Sequence, residues 1–339
     1  MRKVVKIRIL IIHTAFIGDI VLSTPLIKKL KEVYPNSDIT YVTTPAGASI
    51  LRNNPNISEI IEYDKRGKHK GLKGIYQLGK RLKYENFNLV ITPHRYIRSS
   101  ILSWLTGSPV RKGYRNATAS FLYTERISYD RNKHEVEKLL SFVSGKEEKR
   151  YEIELYPNEQ DVKKVDEMLK EYKDKKLILL APGSKWFTKK WPLEYFNEVI
   201  GQIMNREDII TGIIGGTDEL ALNIVSGGNV VDFRGKTTLL ELAELIKRSE
   251  VIVTNDSSPI HIASAWKNVR ILAIFGPTVK ELGFFPWSEN SKVFQIEGLA
   301  CRPCSLHGGD KCPQKHFKCM LDIKPKIILD EIIKTIERA

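Results

Sequence analysis

The sequence predicts an α/β protein built from two doubly wound parallel sheets, and three observations carry that reading. Short apolar runs of strand length alternate with helical segments along most of the chain, the pattern of successive βαβ units. Many of the runs end in Gly, Pro, Ser, Asn or Asp, which puts loops at the strands' carboxyl ends, where open parallel sheets bind ligands. The chain of 339 residues is long enough for two cores. A boundary between about 155 and 175 gives a first domain over 1–160 and a second over 175–322, with a terminal segment 323–339.

Composition narrows the class. Apolar content of 42% and charged content of 28% are those of a soluble globular protein, and no stretch reaches the roughly 18 apolar residues of a membrane helix. Met1-Arg2-Lys3 before Val4 to Ile12 imitates a signal peptide, but Lys6 and Arg8 break the run and Gly18-Asp19 stands where a cleavage site belongs. No leader is expected. Lys plus Arg outnumber Asp plus Glu by 54 to 40, a formal charge of +14. That surplus points to an anionic partner, whether nucleic acid, an acidic membrane face or a phosphorylated substrate, with solvated surface as the plain alternative. No RNP-type aromatic motif, finger spacing or heptad-plus-basic region is visible, so nucleic acid is not an expected partner.

In chain order, Lys6 to His13 reads as the first strand and Pro25 to Val33 as a helix, with Leu26, Leu30 and Val33 on its apolar face. In the loop between them, Gly18 permits a tight turn or a close approach by a ligand. Asp19, just before the helical stretch, reads as a cap or as a base, and from this segment alone the cap is the stronger reading. Ile39 to Thr43 and Ile57 to Tyr63 are the next strands, and Lys65 to Lys73 is a basic loop. Leu89 to Thr92 is a buried strand ending at Pro93-His94-Arg95, followed by a helix from Ser99 to Leu105 and a short strand before Gly113-Tyr114-Arg115. A helix follows His134-Glu135-Val136. A polar stretch over 146–149 leads to a strand from Tyr151 to Leu155 and an amphipathic helix from Asn158 to Lys173.

The second half repeats this style. The run Leu177 to Leu180 ends at Ala181-Pro182-Gly183-Ser184, with Lys185, Lys189 and Lys190 beyond it and a helix start at Trp191-Pro192. Small residues followed by lysines suit a phosphate through backbone donors and point charges, and an exposed basic loop fits equally well. Ile210 to Ile214 ends at Gly215-Gly216-Thr217-Asp218-Glu219. The glycine pair permits close approach, and Glu219 could accept from a ribose hydroxyl. The full G-x-G-x-x-G pattern is missing, so a nicotinamide site is not supported. After a strand at Val230 to Phe233 and a helix at Leu239 to Lys247, the strand from Val251 stops at Asn255-Asp256-Ser257-Ser258-Pro259. A helix then runs from Ile260 to Trp266, and a strand from Arg270 to Phe275 closes at Gly276-Pro277. Pro suits a first helical turn, and a helix start here would offer N–H groups to an anion. An ordinary βαβ unit with Asp256 as its cap is the plain alternative.

Together, several of these pieces resemble a known family. They are Gly18-Asp19 with Thr24-Pro25; Pro182-Gly183-Ser184 with Thr188-Lys189-Lys190-Trp191-Pro192; Gly215-Gly216; Asn255-Asp256-Ser257 with His261; and Phe275-Gly276-Pro277-Thr278. In that order and spacing the chain resembles the ADP-heptose:lipopolysaccharide heptosyltransferases, glycosyltransferase family nine, over almost its whole length. Each motif alone is weak; the ordered set is specific. The resemblance implies the GT-B architecture, two Rossmann-like domains facing across a cleft, with a last helix, Pro325 to Ile336 here, crossing back to the first domain.

It also implies inverting transfer of heptose from ADP-heptose to the lipopolysaccharide inner core, on the inner face of the membrane. In that scheme Asp19 is the base, since direct displacement needs a group to take the acceptor's proton. Lys189 and Ser184 face the diphosphate, whose charge grows as the bond breaks. Gly215, Gly216 and Glu219 lie at the nucleotide, while Asp256, Ser257, Ser258 and His261 hold the donor. Gly18, Arg95 and Arg98 fall on the acceptor side. No cofactor is expected for catalysis. Two departures bear on donor identity. Ser258 stands where the family commonly has Gly, and His13 where members often carry Lys or another polar residue. A relative using another nucleotide sugar, a sugar epimerase of the same fold, and a basic binding protein for nucleic acid or anionic lipid are the alternatives.

All four cysteines fall between 301 and 319: Cys301, Cys304, Cys312 and Cys319, with His307 and His316 among them. In a cytoplasmic enzyme such thiols stay reduced. A structural zinc or iron ion, away from the sugar-transfer chemistry, and plain free thiols are both open readings.

Overall fold

Each half of the chain builds one six-stranded parallel sheet. The computed structural model describes residues 6–65, 67–144 and 149–338, so the signal-like start over 1–5, Arg66 of the basic loop and most of the polar stretch over 146–149 lie outside the described residues. The chain divides into two units, Met1–Tyr156 and Pro157–Ala339.

The first unit runs β1 (Ile7–Ile12), α1 (Ile17–Leu22), α2 (Thr24–Val33), β2 (Ser37–Thr43), α3 (Pro45–Leu51), β3 (Glu59–Glu62), α4 (Gly71–Tyr84), β4 (Leu89–Thr92), α5 (Ile97–Leu105), β5 (Val110–Tyr114), β6 (Glu125–Ile127) and α6 (Glu135–Leu140). Its strand order is β3-β2-β1-β4-β5-β6. The central strands are apolar on both faces because helices cover both; Ile9 to Ile12 and Val90 are fully buried. The order reverses between β1 and β4, which makes the loops after those two strands the natural ligand position.

The second unit runs α7 (Glu159–Met168), β7 (Lys176–Ala181), α8 (Leu193–Ile203), β8 (Ile209–Ile213), β9 (Val230–Asp232), α9 (Leu239–Lys247), β10 (Val251–Asn255), α10 (Ser258–Ala263), β11 (Arg270–Ile274), β12 (Ser291–Phe294), α11 (Lys318–Leu321) and α12 (Pro325–Ile336). Its order, β12-β11-β10-β7-β8-β9, is the same topology counted from the other edge. Val253 registers with Leu180 on one side and Leu272 on the other, so the reversal lies between β7 and β10. Local chemistry sets the helix starts. Thr238 accepts from the Glu241 N–H while the Glu241 carboxylate accepts from the Thr238 N–H, a reciprocal cap on α9.

Several elements differ from the sequence expectation. Asp19 lies inside a helix rather than before one: α1 occupies 17–22, breaks at Ser23, and α2 restarts with Pro25 in its first turn. Tyr151 to Leu155 is not a strand. Its alternate residues Tyr151, Ile153 and Leu155 are buried, but its partners are side chains of α2. The Glu154 N–H donates to Thr24 Oγ1 at 3.1 Å, Glu154 pairs with Lys28, and the Tyr151 hydroxyl donates to Glu32 at 3.0 Å. Alternation reports one-sided burial, which an extended segment laid on a helix satisfies without a ladder. The buried face of the last helix, Ile328, Ile332 and Ile336, joins Trp191, Ile200 and Ile203 in the second unit's core. The basic loop gives way to α4 at Gly71.

Candidate active site

In the second unit, the two loops at the sheet's reversal are locked together around one carboxylate. Lys189 ends the short turn Phe187–Lys189 that follows β7, and its Nζ lies 2.6 Å from Asp256 Oδ2 just beyond β10. Thr278 Oγ1, past the end of β11, donates to the same oxygen at 2.6 Å. Asn255 ties the frame. Its Nδ2 donates to the Pro182 carbonyl at 2.8 Å and its Oδ1 accepts from the Trp191 N–H at 3.0 Å. An ammonium has three donors, so Lys189 can hold Asp256 and still offer N–H bonds to an anion.

Glu219 occupies the neighbouring loops. A Cβ on Gly183 would come within 1.5 Å of its Oε1, and one on Gly215 within 2.0 Å of its Oε2. Only glycine lets the carboxylate lie across the ends of β7 and β8 in this way. Burial and then Asp218 push the Glu219 carboxyl up, against the pull of Lys190 and Arg234. Arg234 sets the turn by donating to the Glu219 and Leu222 carbonyls at 2.7 and 2.9 Å. Gly216 is exposed and Ser184 half-buried. Ser257 is the N-cap residue of α10 without capping it through its side chain, and Ser258 begins the helix. His261 is buried in that helix. Burial lowers its pKa to about 4, with Asp256 opposing and Lys189 reinforcing. Its Nδ1 has no hydrogen-bond partner among the described residues, so a neutral imidazole with one open nitrogen faces this cluster. α10 spans only six residues; the positive charge here comes from Lys189, not from a long helix dipole.

In the first unit, the Asp19 carboxylate accepts from the Phe16 N–H at 3.2 Å, closing the first turn of α1 beside buried Gly18. The capping role read from sequence is therefore real, and it leaves the second carboxylate oxygen outside that bond. Near it runs a buried polar chain. Ser23 Oγ lies 2.6 Å from the Tyr41 hydroxyl, which lies 3.3 Å from His13 Nδ1. His94 Nδ1 is 2.8 Å from Ser99 Oγ and 3.2 Å from Thr14 Oγ1. Burial, then His94, lowers the His13 pKa to about 3; burial, then Lys65 and Arg95, lowers that of His94 to about 4. Arg95 stacks 4.4 Å above the Tyr129 ring, whose hydroxyl donates to buried Glu135 at 3.2 Å. Lys138 lies 3.4 Å from the same Glu135 oxygen. Burial raises the Tyr63 hydroxyl's pKa, against the opposing pull of Arg98 in the first turn of α5.

The sequence profile described as glycosyltransferase family 9 (heptosyltransferase) matches residues 75–314. The chain belongs to that family. Lipooligosaccharide heptosyltransferase 2 of Campylobacter jejuni is 27% identical over 336 residues, covering 94% of this chain and 96% of that protein. Among solved structures, a family 9 glycosyl transferase from Veillonella parvula superposes with TM-score 0.83 at 23% identity, covering 98% of each chain. The E. coli ADP-heptose lps heptosyltransferase II gives 0.80 at 20% identity over 98% of this chain and 99% of that one. TibC, an iron-containing dodecameric glycosyltransferase of enterotoxigenic E. coli, gives 0.60 at 16% over 98% and 76%. These structures share the fold, and two doubly wound units are the components of its GT-B architecture.

In this family 9 glycosyltransferase the cysteine tract is bonded to the loops that carry Thr278 and Lys189. The Cys304 N–H donates to the Pro277 carbonyl at 2.9 Å, beside Thr278. Thr188, next to Lys189, exchanges bonds with Gly309: its N–H donates to the Gly309 carbonyl at 3.0 Å, and its Oγ1 accepts from the Gly309 N–H at 2.8 Å. The four cysteines are free thiols. Burial and the neighbouring thiols raise the pKa of Cys304, and raise that of Cys319 to about 11. Four thiols that sense one another are a soft donor set suited to zinc or iron. They are not closed into a shell, however: among the described residues no group of three or more His, Cys, Asp or Glu could hold a metal ion.

Sequence reasoning gave no role to Thr278, Asn255, Arg234, Tyr129 or Glu135. Thr278 and Asn255 lay inside motifs already singled out. The Tyr129–Glu135–Arg95 cluster joins residues from separate elements and left no spacing to find.

Proposed function

We propose that this chain is an inverting heptosyltransferase that moves heptose from ADP-heptose to the lipopolysaccharide inner core. The observation that carries the reading is the Lys189–Asp256–Thr278 cluster at the reversal between β7 and β10, the position where a doubly wound sheet takes its ligand. The family's chemistry then distributes over the residues. An acceptor hydroxyl attacks the anomeric carbon, its proton passes to the Asp19 carboxylate, and the bond to the diphosphate breaks with its electron pair leaving on ADP. Lys189 meets the charge that grows on the departing diphosphate. Ser184, Gly215, Gly216 and Glu219 take the nucleotide side; Asp256, Ser257, Ser258 and His261 take the sugar and diphosphate. Gly18, Arg95 and Arg98 take the acceptor, and a cation stacked on Tyr129 suits an anionic one.

Peripheral contact with an anionic membrane face, from the cytoplasmic side, is part of the proposal. Tyr96 and Ile97 are exposed beside Arg95 and Arg98, and Phe16 and Phe121 are exposed in other segments of the first unit. Among the described residues no helix is long and apolar enough to cross a membrane. A structural zinc or iron ion on Cys301, Cys304, Cys312 and Cys319 would bind through thiolates and order that tract; it enters no step of the transfer.

The test is transfer itself: purified protein with ADP-heptose and defined truncated cores, read by mass spectrometry. Addition of one heptose supports the reading. Saturable ADP binding with no transfer from ADP-heptose, but transfer from another ADP-sugar, would move the donor assignment to that sugar. Binding that falls steeply with salt, with no saturable nucleotide site, would replace the enzyme by a polyanion binder.

A further inference from the structure

Arg302 lies in the cysteine tract, yet its guanidinium is spent on the loops that frame the donor cluster. Its Nη2 donates to the Thr278 carbonyl at 2.7 Å, the Phe275 carbonyl at 3.2 Å and Gln295 Oε1 at 3.2 Å; Nη1 donates to the Ile296 carbonyl at 2.5 Å, and Nε to the Gly276 carbonyl. These acceptors sit just past β11 and β12, where strand carbonyls have run out of ladder partners. A planar fork with five N–H donors can satisfy such a ring of carbonyls, and an ammonium cannot. Thr278, held through its carbonyl by Arg302, holds Asp256 through its hydroxyl, and Asp256 holds Lys189. The same tract reaches the other end of the chain of contacts, since Gly309 is bonded to Thr188.

We infer that Arg302 is a positioning residue for the donor site: by fixing the carbonyls of 275–278 it sets Thr278, and through it the Asp256–Lys189 pair that meets the diphosphate. The inference rests on the donor-site reading above. It assigns the cysteine tract a second task besides stability, that of keeping a catalytic cation on register, and small displacements of such groups are costly.

The experiment measures ADP affinity by calorimetry, donor KM and kcat, and melting temperature for wild type, Arg302→Lys, Thr278→Val, the double variant and Lys189→Ala. Arg302→Lys keeps the charge and loses the fan; Thr278→Val keeps the shape and loses the link. Each single change is expected to weaken ADP binding by about tenfold or more, the range of a hydrogen bond to a charged group. The double variant is expected to be no weaker than the worse single one, because both cut the same path. Wild-type ADP affinity in Arg302→Lys with only a lowered melting temperature overturns the proposal, as do effects that multiply in the double variant. Should Arg302→Lys not fold, Thr278→Val decides alone, and wild-type affinity there overturns it. Lys189→Ala separates the two readings. If it too leaves ADP binding intact, the donor-site reading fails; if it alone weakens binding, only the positioning role fails.

Discussion

Lys189 and Asp256 meet at 2.6 Å across two loops that are 67 positions apart in sequence numbering (256 − 189), with their side chains only 13% and 7% exposed. An ion pair this enclosed is partly desolvated, so removing one partner strands the other charge. Lys189→Ala should therefore weaken the ADP complex and slow transfer together, and also cost stability, up to about 3–5 kcal/mol if the pair were fully buried. Lys190→Ala should do much less to donor affinity and rate. ADP titration and donor kinetics on the two variants check this; equal effects would mean a diffuse basic loop instead of an aimed cation.

Asp19 has an observed capping bond and a proposed role as base to separate. Its carboxylate caps α1 through the Phe16 N–H, a bond that an amide oxygen can also accept. Asp19→Asn should thus keep the melting temperature and ADP affinity near wild type while lowering kcat by about 10²- to 10⁴-fold, the usual worth of a general base. Asp19→Ala should lose the cap as well, about 1 kcal/mol of stability. Turnover of Asp19→Asn within a few-fold of wild type would leave Asp19 as a cap only.

The fold was largely legible because buried parallel strands must be apolar on both faces, and β1, β4, β7 and β10 are written that way. Short edge strands such as β6 and β12 carry exposed polar residues and left no such signal. The extended segment at Tyr151 to Leu155 showed alternation without pairing, for the reason given by its bonds to α2. At the site, the residue types were legible and their partners were not. Asp256 could be read as a ligand or a cap; that it is held by Lys189 and Thr278 depends on loops brought together by the sheet order. Gly308 reads as loose chain, yet it sits at φ +90° where a Cβ would press Lys189 Cγ and Trp186 Cβ at 3.1 Å. Arg302 was hidden between two cysteines that drew the metal reading.

Three histidines with lowered pKa values, His13, His94 and His261, give the protein an acid limit. His13 titrates at about 3 and His94 and His261 at about 4, each lowered first by burial, whereas an unfolded histidine takes its proton near about 6.5. Below that value the unfolded state binds more protons than the folded one, so stability falls as pH drops toward the folded pKa values. Buried Glu135 and half-buried Glu219, whose pKa values are raised, act in the opposite sense just above the ordinary carboxyl range. Unfolding free energies between about pH 6 and pH 5 should show His13→Asn with a slope shallower than wild type by about 1 kcal/mol per pH unit, one proton's worth. Parallel slopes would mean that His13 is protonated in the folded chain.

The cysteine tract yields the last prediction. Cys301, Cys304, Cys312 and Cys319 are the chain's only cysteines, and the segment between them has little regular structure before α11, so its bonds to the loops of Lys189 and Thr278 help to order it. If the thiols take up an ion, protein purified without added metal should carry about one zinc or iron per chain by elemental analysis. Cys312→Ser should then lose the ion and melt lower, because metal affinity in such a site is folding free energy. The bonds from Gly309 to Thr188 and from Cys304 to Pro277 extend the consequence to function. The folded fraction of Cys312→Ser should still bind ADP, but less tightly than wild type, with the loss tracking metal content when the wild-type protein is stripped by a chelator and reloaded. Metal-free protein with unchanged melting and ADP affinity would leave these as four ordinary thiols.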